Sequence, residues 1–226
     1  MFSFLSNKTK VTKSKLAKPK LAKPKTAKSK TQVTKEEAAR AKAAEVRLMK
    51  QNLGRVRLAY GCLMDQDGIN TVVMSITDDM TLESPLNQTI LEAAGPKLED
   101  DIFEHIYKPK PGDAYVFSGY QTGFTNIIVV VKPQAQNAEL AEDRYLLRSY
   151  RSAMDAARKI GADKIAFPGM GVEYLRFPVT RAARLAVDGI VEKIYPEMQE
   201  VRIVCKDMEL YQAFYDRLQK LGWNAQ

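Results

Sequence analysis

Residues 164–184 read KIAFPGMGVEYLRFPVTRAAR, and the rest of the chain is best understood from this stretch. Lys164–Phe167 is a short apolar run of the kind that forms a buried strand. A loop follows: Pro168-Gly169-Met170-Gly171-Val172-Glu173-Tyr174-Leu175-Arg176-Phe177. Pro178 then stands where the first turn of a helix accepts proline, because the missing N–H is one the helix would not use. The loop therefore joins the C-terminal end of a strand to the N-terminus of a helix. Ligands of open α/β sheets favour that edge, and the positive end of a helix favours anions. Gly169, Gly171 and Val172 can bring backbone N–H groups against a phosphate, and Arg176 can clamp one with paired hydrogen bonds. A plainer reading stays open: the glycines make a tight turn, and Arg176 pairs with Glu173.

Outward from this stretch the elements alternate. Upstream, Asp143–Ile160 reads as a long amphipathic helix stopped by Gly161, and Thr125–Val131 and Asp113–Ser118 read as strands. Leu86–Ala94 and Leu98–Tyr107 read as short helices, with Gly95-Pro96 between them. Val56–Met64 and Ile69–Ile76 read as the first two strands. Thr34-Lys35-Glu36-Glu37 has the form of a capping box and predicts a helix from there to about Asn52. Downstream, Val201–Cys205 and Met208–Leu221 supply the last strand and helix. Strand–helix–strand alternation in the second half implies right-handed crossovers and parallel strands. The expectation is a three-layer α/β/α fold with a mixed central sheet, over residues 54–226. Residues 34–53 form a helical linker and residues 1–33 a disordered basic tail.

Charge separates the tail from the body. The chain has 226 residues and a net charge of +8, but residues 1–35 hold 11 lysines and no acid, whereas residues 58–226 sum to −6. Within the tail, VTKSK, LAKPK, LAKPK and TAKSK repeat in fives, placing Lys13, Lys15, Lys18, Lys20, Lys23, Lys25, Lys28 and Lys30 at the third and fifth place of each unit. Such an arm binds polyanions by counterion release. With no arginine, and no aromatic after Phe4, it offers neither base readout nor stacking, so nucleic acid or another polyanion would be held without regard to sequence. A solubilising spacer or a trafficking patch is the alternative.

Several classes are excluded. No apolar run approaches the length needed to cross a bilayer, so no membrane partner is expected. The short apolar start, Met1-Phe2-Ser3-Phe4-Leu5, lacks the form of a signal peptide, and an intracellular setting, cytoplasmic or nucleic-acid-associated, is expected. Two cysteines and one histidine cannot build a Cys/His zinc centre, and no metal or cofactor is assigned. Cys62 and Cys205 fall in expected strands and read as buried. Met154 and Met208 read as core filler, Trp223 as a packing anchor, and Glu99-Asp100-Asp101 with Glu104 as a solvated helix face. Thr77-Asp78-Asp79 follows the second strand at the ligand edge, where two carboxylates and a hydroxyl suit ribose hydroxyls or a divalent cation. The same residues also cap turns.

A family resemblance covers about residues 55–221. Ile90-Leu91-Glu92-Ala93-Ala94-Gly95-Pro96 is similar to the helix phrase of the macro domain that ends in Ala-Ala-Gly-Pro. Pro111-Gly112-Asp113-Ala114 and Ser118-Gly119-Tyr120 resemble that family's Gly-Glu-Ala strand. Lys164–Pro168, with Pro178 and Ala182-Ala183-Arg184, resembles the strand and helix around its second phosphate loop. The resemblance implies a module for ADP-ribose or a similar small molecule, in a family that also includes de-ADP-ribosylating enzymes.

The departures from the family pattern imply a degenerate pocket. Where the family has an Asp for adenine this chain has Cys62 or a neighbour. Its Asn-Ala-Ala-Asn phrase falls near Met74-Ser75-Ile76-Thr77, with no Asn. Its glycine-rich first phosphate loop is replaced by Leu82-Glu83-Ser84-Pro85-Leu86-Asn87, and its aromatic after the last strand by Lys206. The resulting expectation is a binding module tethered by its tail, with no catalytic residue assigned. The alternatives are an ADP-ribosyl or ADP-ribose-phosphate hydrolase in which Asp78 or Asp79 orients a water, and a structural or assembly protein reusing the fold.

Overall fold

The computed structural model describes residues 30–133, 140–172 and 177–224. It divides into two compact units, Met1–Lys42 and Ala43–Gln226. Helix α1 (Lys30–Leu53) crosses that division. It starts four residues before Thr34, so the expected capping box lies within the helix rather than at its start. The tail lysines from Lys13 to Lys28 lie outside the described residues, and Lys30 opens α1.

The second unit holds a six-stranded sheet in the order β1-β6-β5-β2-β4-β3. The strands are β1 (Val56–Tyr60), β2 (Thr71–Ile76), β3 (Ala114–Ser118), β4 (Asn126–Val131), β5 (Lys164–Pro168) and β6 (Glu200–Cys205). All neighbours pair in parallel except β3, which runs antiparallel to β4 with Ala114 opposite Val130. Helices α2 (Pro85–Ala94) and α3 (Pro96–His105) precede β3. Helices α4 (Leu140–Lys159), α5 (Val179–Lys193) and α6 (Met208–Lys220) make the later crossovers and the last cover.

Strand alternation sorts the apolar residues into two cores. Val73, Ile128, Val130, Ile165, Phe167, Val201 and Ile203 face a core shared with α4, α5 and α6. Val72, Met74, Ile76, Ile127, Val129 and Val131 face a second core with Ile90 and Leu91 of α2 and Leu98 and Ile102 of α3. This is the expected three-layer α/β/α arrangement with a mixed sheet. Trp223 is the expected anchor: it is buried, and its Nε1–H donates to the Val56 carbonyl at 2.9 Å.

Four local expectations need correction. The first strand stops at Tyr60 instead of Met64, because Gly61 turns at φ +139° and a single 3-10 turn, Leu63–Asp65, follows. The second strand begins at Thr71, since the Asn70 carbonyl is taken by the Thr125 and Asn126 N–H groups. Cys62, falling beyond the end of β1, is exposed, whereas Cys205 is buried in β6. Met208 is exposed at the start of α6, while Met154 is buried in the core as expected.

Candidate functional site

Five parallel strands end at one cleft of about 400 Å³. Tyr60, Gly61 and Cys62 follow β1; Val204, Lys206 and Asp207 end β6; Pro168 to Val172 follow β5; Ser75 ends β2; Lys132 ends β4. The start of α2 and Leu210 of α6 complete the walls. The cleft thus sits at the C-terminal edge of the sheet, where the sequence placed it.

The β5–α5 wall is built from backbone. Gly171 has φ +97°, a conformation that a side chain strains against. A Cβ on Gly169 would come within 2.4 Å of Leu210 Cδ2 and 3.3 Å of Phe214 Cε2, so only glycine lets the loop lie against α6 without a shift. Tyr150 of α4 fixes the loop from below. Its buried hydroxyl accepts from the Met170 N–H at 2.8 Å, and its ring packs on Phe167 at 5.8 Å between centroids. Burial pushes the Tyr150 phenol well above its ordinary pKa, only partly opposed by the Met170 bond, so it stays protonated.

The β2–α2 wall is built from side chains. Ser84 caps α2: its Oγ accepts from the Asn87 N–H at 3.1 Å, and its carbonyl accepts from the Gln88 N–H at 3.0 Å. Pro85 has no N–H to give. Asn87, almost fully buried, donates through Nδ2 to the Ser75 carbonyl at 2.9 Å and ties α2 to the end of β2. Of the donors at this helix start, Pro85 therefore supplies none and that of Asn87 is engaged by its cap.

The cleft's charge runs against that of the body. Among the described lining residues Lys132 and Lys206 are basic, and only Asp207 is acidic. Asp207 caps α6, accepting from the Leu210 N–H at 2.8 Å. Beside it, the Cys205 thiol is pushed up to about 12, by burial first and then by the Asp207 charge, so it is no nucleophile near neutral pH.

Gly169, Gly171 and Val172 line the cleft; Arg176 and Glu173 lie outside the described residues. Thr77, Asp78 and Asp79 are not among the lining residues. They form an exposed turn in which Asp79 accepts from the Thr77 hydroxyl and, at 3.1 Å, from the Thr81 N–H. Sequence reasoning passed over Lys132 and Tyr150, and named Lys206 only as a departure from the family pattern. A signal was present for Lys132, a charged residue closing the apolar run Ile127–Val131. None existed for Tyr150, whose role depends on how α4 docks under β5.

Comparison with known proteins agrees with this architecture. The family model described as "Macro domain" matches residues 73–186. A macro domain-containing protein of Methanosarcina mazei is 28% identical over 175 residues, 76% of this chain and 92% of the relative. An uncharacterized protein of Thermoplasma acidophilum is 34% identical over 114 residues, 48% of this chain, which spans only 58% of that relative. Among solved structures, a mutant macrodomain of Oceanobacillus iheyensis with ADPR superposes with a TM-score of 0.66 at 19% identity, covering 74% of this chain and 93% of that one. Among the described residues no helix is long and apolar enough to cross a membrane.

Proposed function

Because the chain belongs to the macro domain family, we propose that its cleft binds ADP-ribose or a closely similar nucleotide, and that it does so without hydrolysing it. The observation that carries this reading is the asymmetry of the cleft. A glycine-built loop borders one side, Lys206 adds positive charge, and on the other side Pro85 has no N–H and that of Asn87 is taken by Ser84. A pyrophosphate would lie against the backbone of Gly169, Gly171 and Val172, the Met170 N–H being held by Tyr150, with the Lys206 ammonium drawing the anion in from solvent. The ADPR held by the structurally similar Oceanobacillus macrodomain supports the choice of ligand. Binding is favoured over catalysis because the described lining has no histidine, and its one carboxylate is already committed as a helix cap.

Calorimetric titration with ADP-ribose tests this. One-to-one binding, weakened by Lys206→Glu, is expected; no heat at millimolar ligand contradicts it. Incubation with an ADP-ribosylated protein should release no ADP-ribose above the buffer rate.

The lysine arm is the second part of the proposal. It holds the module on nucleic acid or another polyanion without sequence preference, as its charge of +11 over residues 1–35 suggests. Removing residues 1–35 should abolish gel-shift binding to duplex DNA at about 0.1 M salt, where the Debye length is near 10 Å. Equal binding by the shortened chain would exclude the arm.

A further inference from the structure

We propose that the β1–β6 side of the cleft is a stacking platform that holds a base without reading it, so that the ligand class is nucleoside diphosphates of any base; this rests on the ADP-ribose reading of the same cleft. Tyr60 is the only aromatic among the described lining residues. It stands at the end of the edge strand β1 and is 59% exposed. Tyr60 lies opposite Cys205 of β6, and Pro168 of β5 lies opposite Val204, so the three strands end nearly level. Two strand spacings, about 10 Å, thus separate the end of β1 from the end of β5, where the glycines meet the pyrophosphate. That is the interval a ribose bridges between a base and its phosphates.

The lining side chains on this side divide by exposure. Leu63, Val204 and Leu210 are buried and apolar, and they give a flat ring a surface to cover. Tyr60, Cys62, Lys206 and Asp207 carry the polar atoms, and all of them are exposed. A site discriminates strongly only where the wrong partner leaves a buried polar group unpaired. Exposed groups return to water instead, and the Cys62 thiol is in any case a weak donor and acceptor. Asp207 is already the cap of α6. Stacking on an aromatic face, by contrast, tolerates every base, since each has a π-face. The turn that carries Cys62 is also preformed. The Gly61 N–H donates to the Cys205 carbonyl at 3.0 Å, and Gln66 Nε2 donates to the Cys62 carbonyl at 2.6 Å. The platform is therefore in place before any particular base arrives.

Calorimetry of the full-length protein with ADP, GDP, UDP, CDP and inorganic pyrophosphate tests this, with ADP-ribose as the reference ligand. The nucleotides should bind within about tenfold of one another, and pyrophosphate more weakly than any of them. Tyr60→Ala should weaken every nucleotide by about tenfold and leave pyrophosphate unchanged. Tyr60→Phe keeps the ring and should keep the affinities. Thermal melting of both variants should match wild type, because the side chain replaced is exposed. A preference for adenine above about tenfold would mean that the base is read, and would overturn the proposal. Nucleotide affinities that Tyr60→Ala leaves unchanged would overturn it as well. If ADP-ribose binds while GDP and UDP do not, base indifference fails and the proposed function stands. Silence from every nucleotide defeats both.

Discussion

The two walls of the cleft solve the same packing problem in opposite ways. On the β5–α5 side, Gly169 and Gly171 carry no side chain, and the Tyr150 hydroxyl holds the Met170 N–H from behind. On the β2–α2 side, Ser84, Pro85 and Asn87 turn the local polar groups inward to cap and brace α2. In the proposed reading, the first wall faces the anion and the second serves as a structural joint. Substitutions on the first wall should change binding, and those on the second should change stability.

The largest expected effect is that of Gly171→Val. It strains a backbone at φ +97° and pushes a branched side chain to the cleft wall. ADP-ribose affinity should fall at least about tenfold by calorimetry, since the cost combines strain with lost N–H approach. Tyr150→Phe should come next. It strips the partner from the buried Met170 N–H, costing about 1–3 kcal/mol in denaturant unfolding, and it should weaken ligand binding as well. Ser84→Ala removes a helix cap and should cost about 1 kcal/mol, with an effect on affinity far below that of Gly171→Val. If Ser84→Ala weakens binding as much as Gly171→Val, the contrast between the walls is false. The smallest effect is a thiol count: a maleimide probe at pH 7 should label only Cys62 in the native protein and both cysteines after unfolding, because Cys205 is buried with its pKa near 12.

Much of the architecture was readable in the residues, because periodicity and punctuation report directly on burial. Ile127–Val131 is a continuous apolar run and became part of an interior strand buried on both faces. Pro178 marked the start of α5 within one residue. The misreadings occurred where local signals compete. Gly61 ended β1 although Cys62, Leu63 and Met64 extend the apolar run, and α1 begins at Lys30, ahead of the Thr34 cap signal. The candidate site divided along the same line. Gly169, Gly171 and Val172 were legible because a loop between a strand and a proline-led helix has a known place in such sheets. Thr77-Asp78-Asp79 shared that topological position, yet its Asp79 is used within the turn. Tyr150 meets Met170 only because α4 docks under β5, so no spacing rule could have paired them.

In the proposed function the β5–α5 wall, not the β2–α2 wall, meets the ligand. An amide NMR titration of the full-length protein with ADP-ribose tests this directly. The account predicts that the largest chemical-shift changes fall on Gly169, Met170, Gly171 and Val172, with those of Leu86, Asn87 and Gln88 small. Shifts centred on Leu86 to Gln88 or on Thr77 to Asp79, with Gly169 to Val172 unmoved, would contradict it.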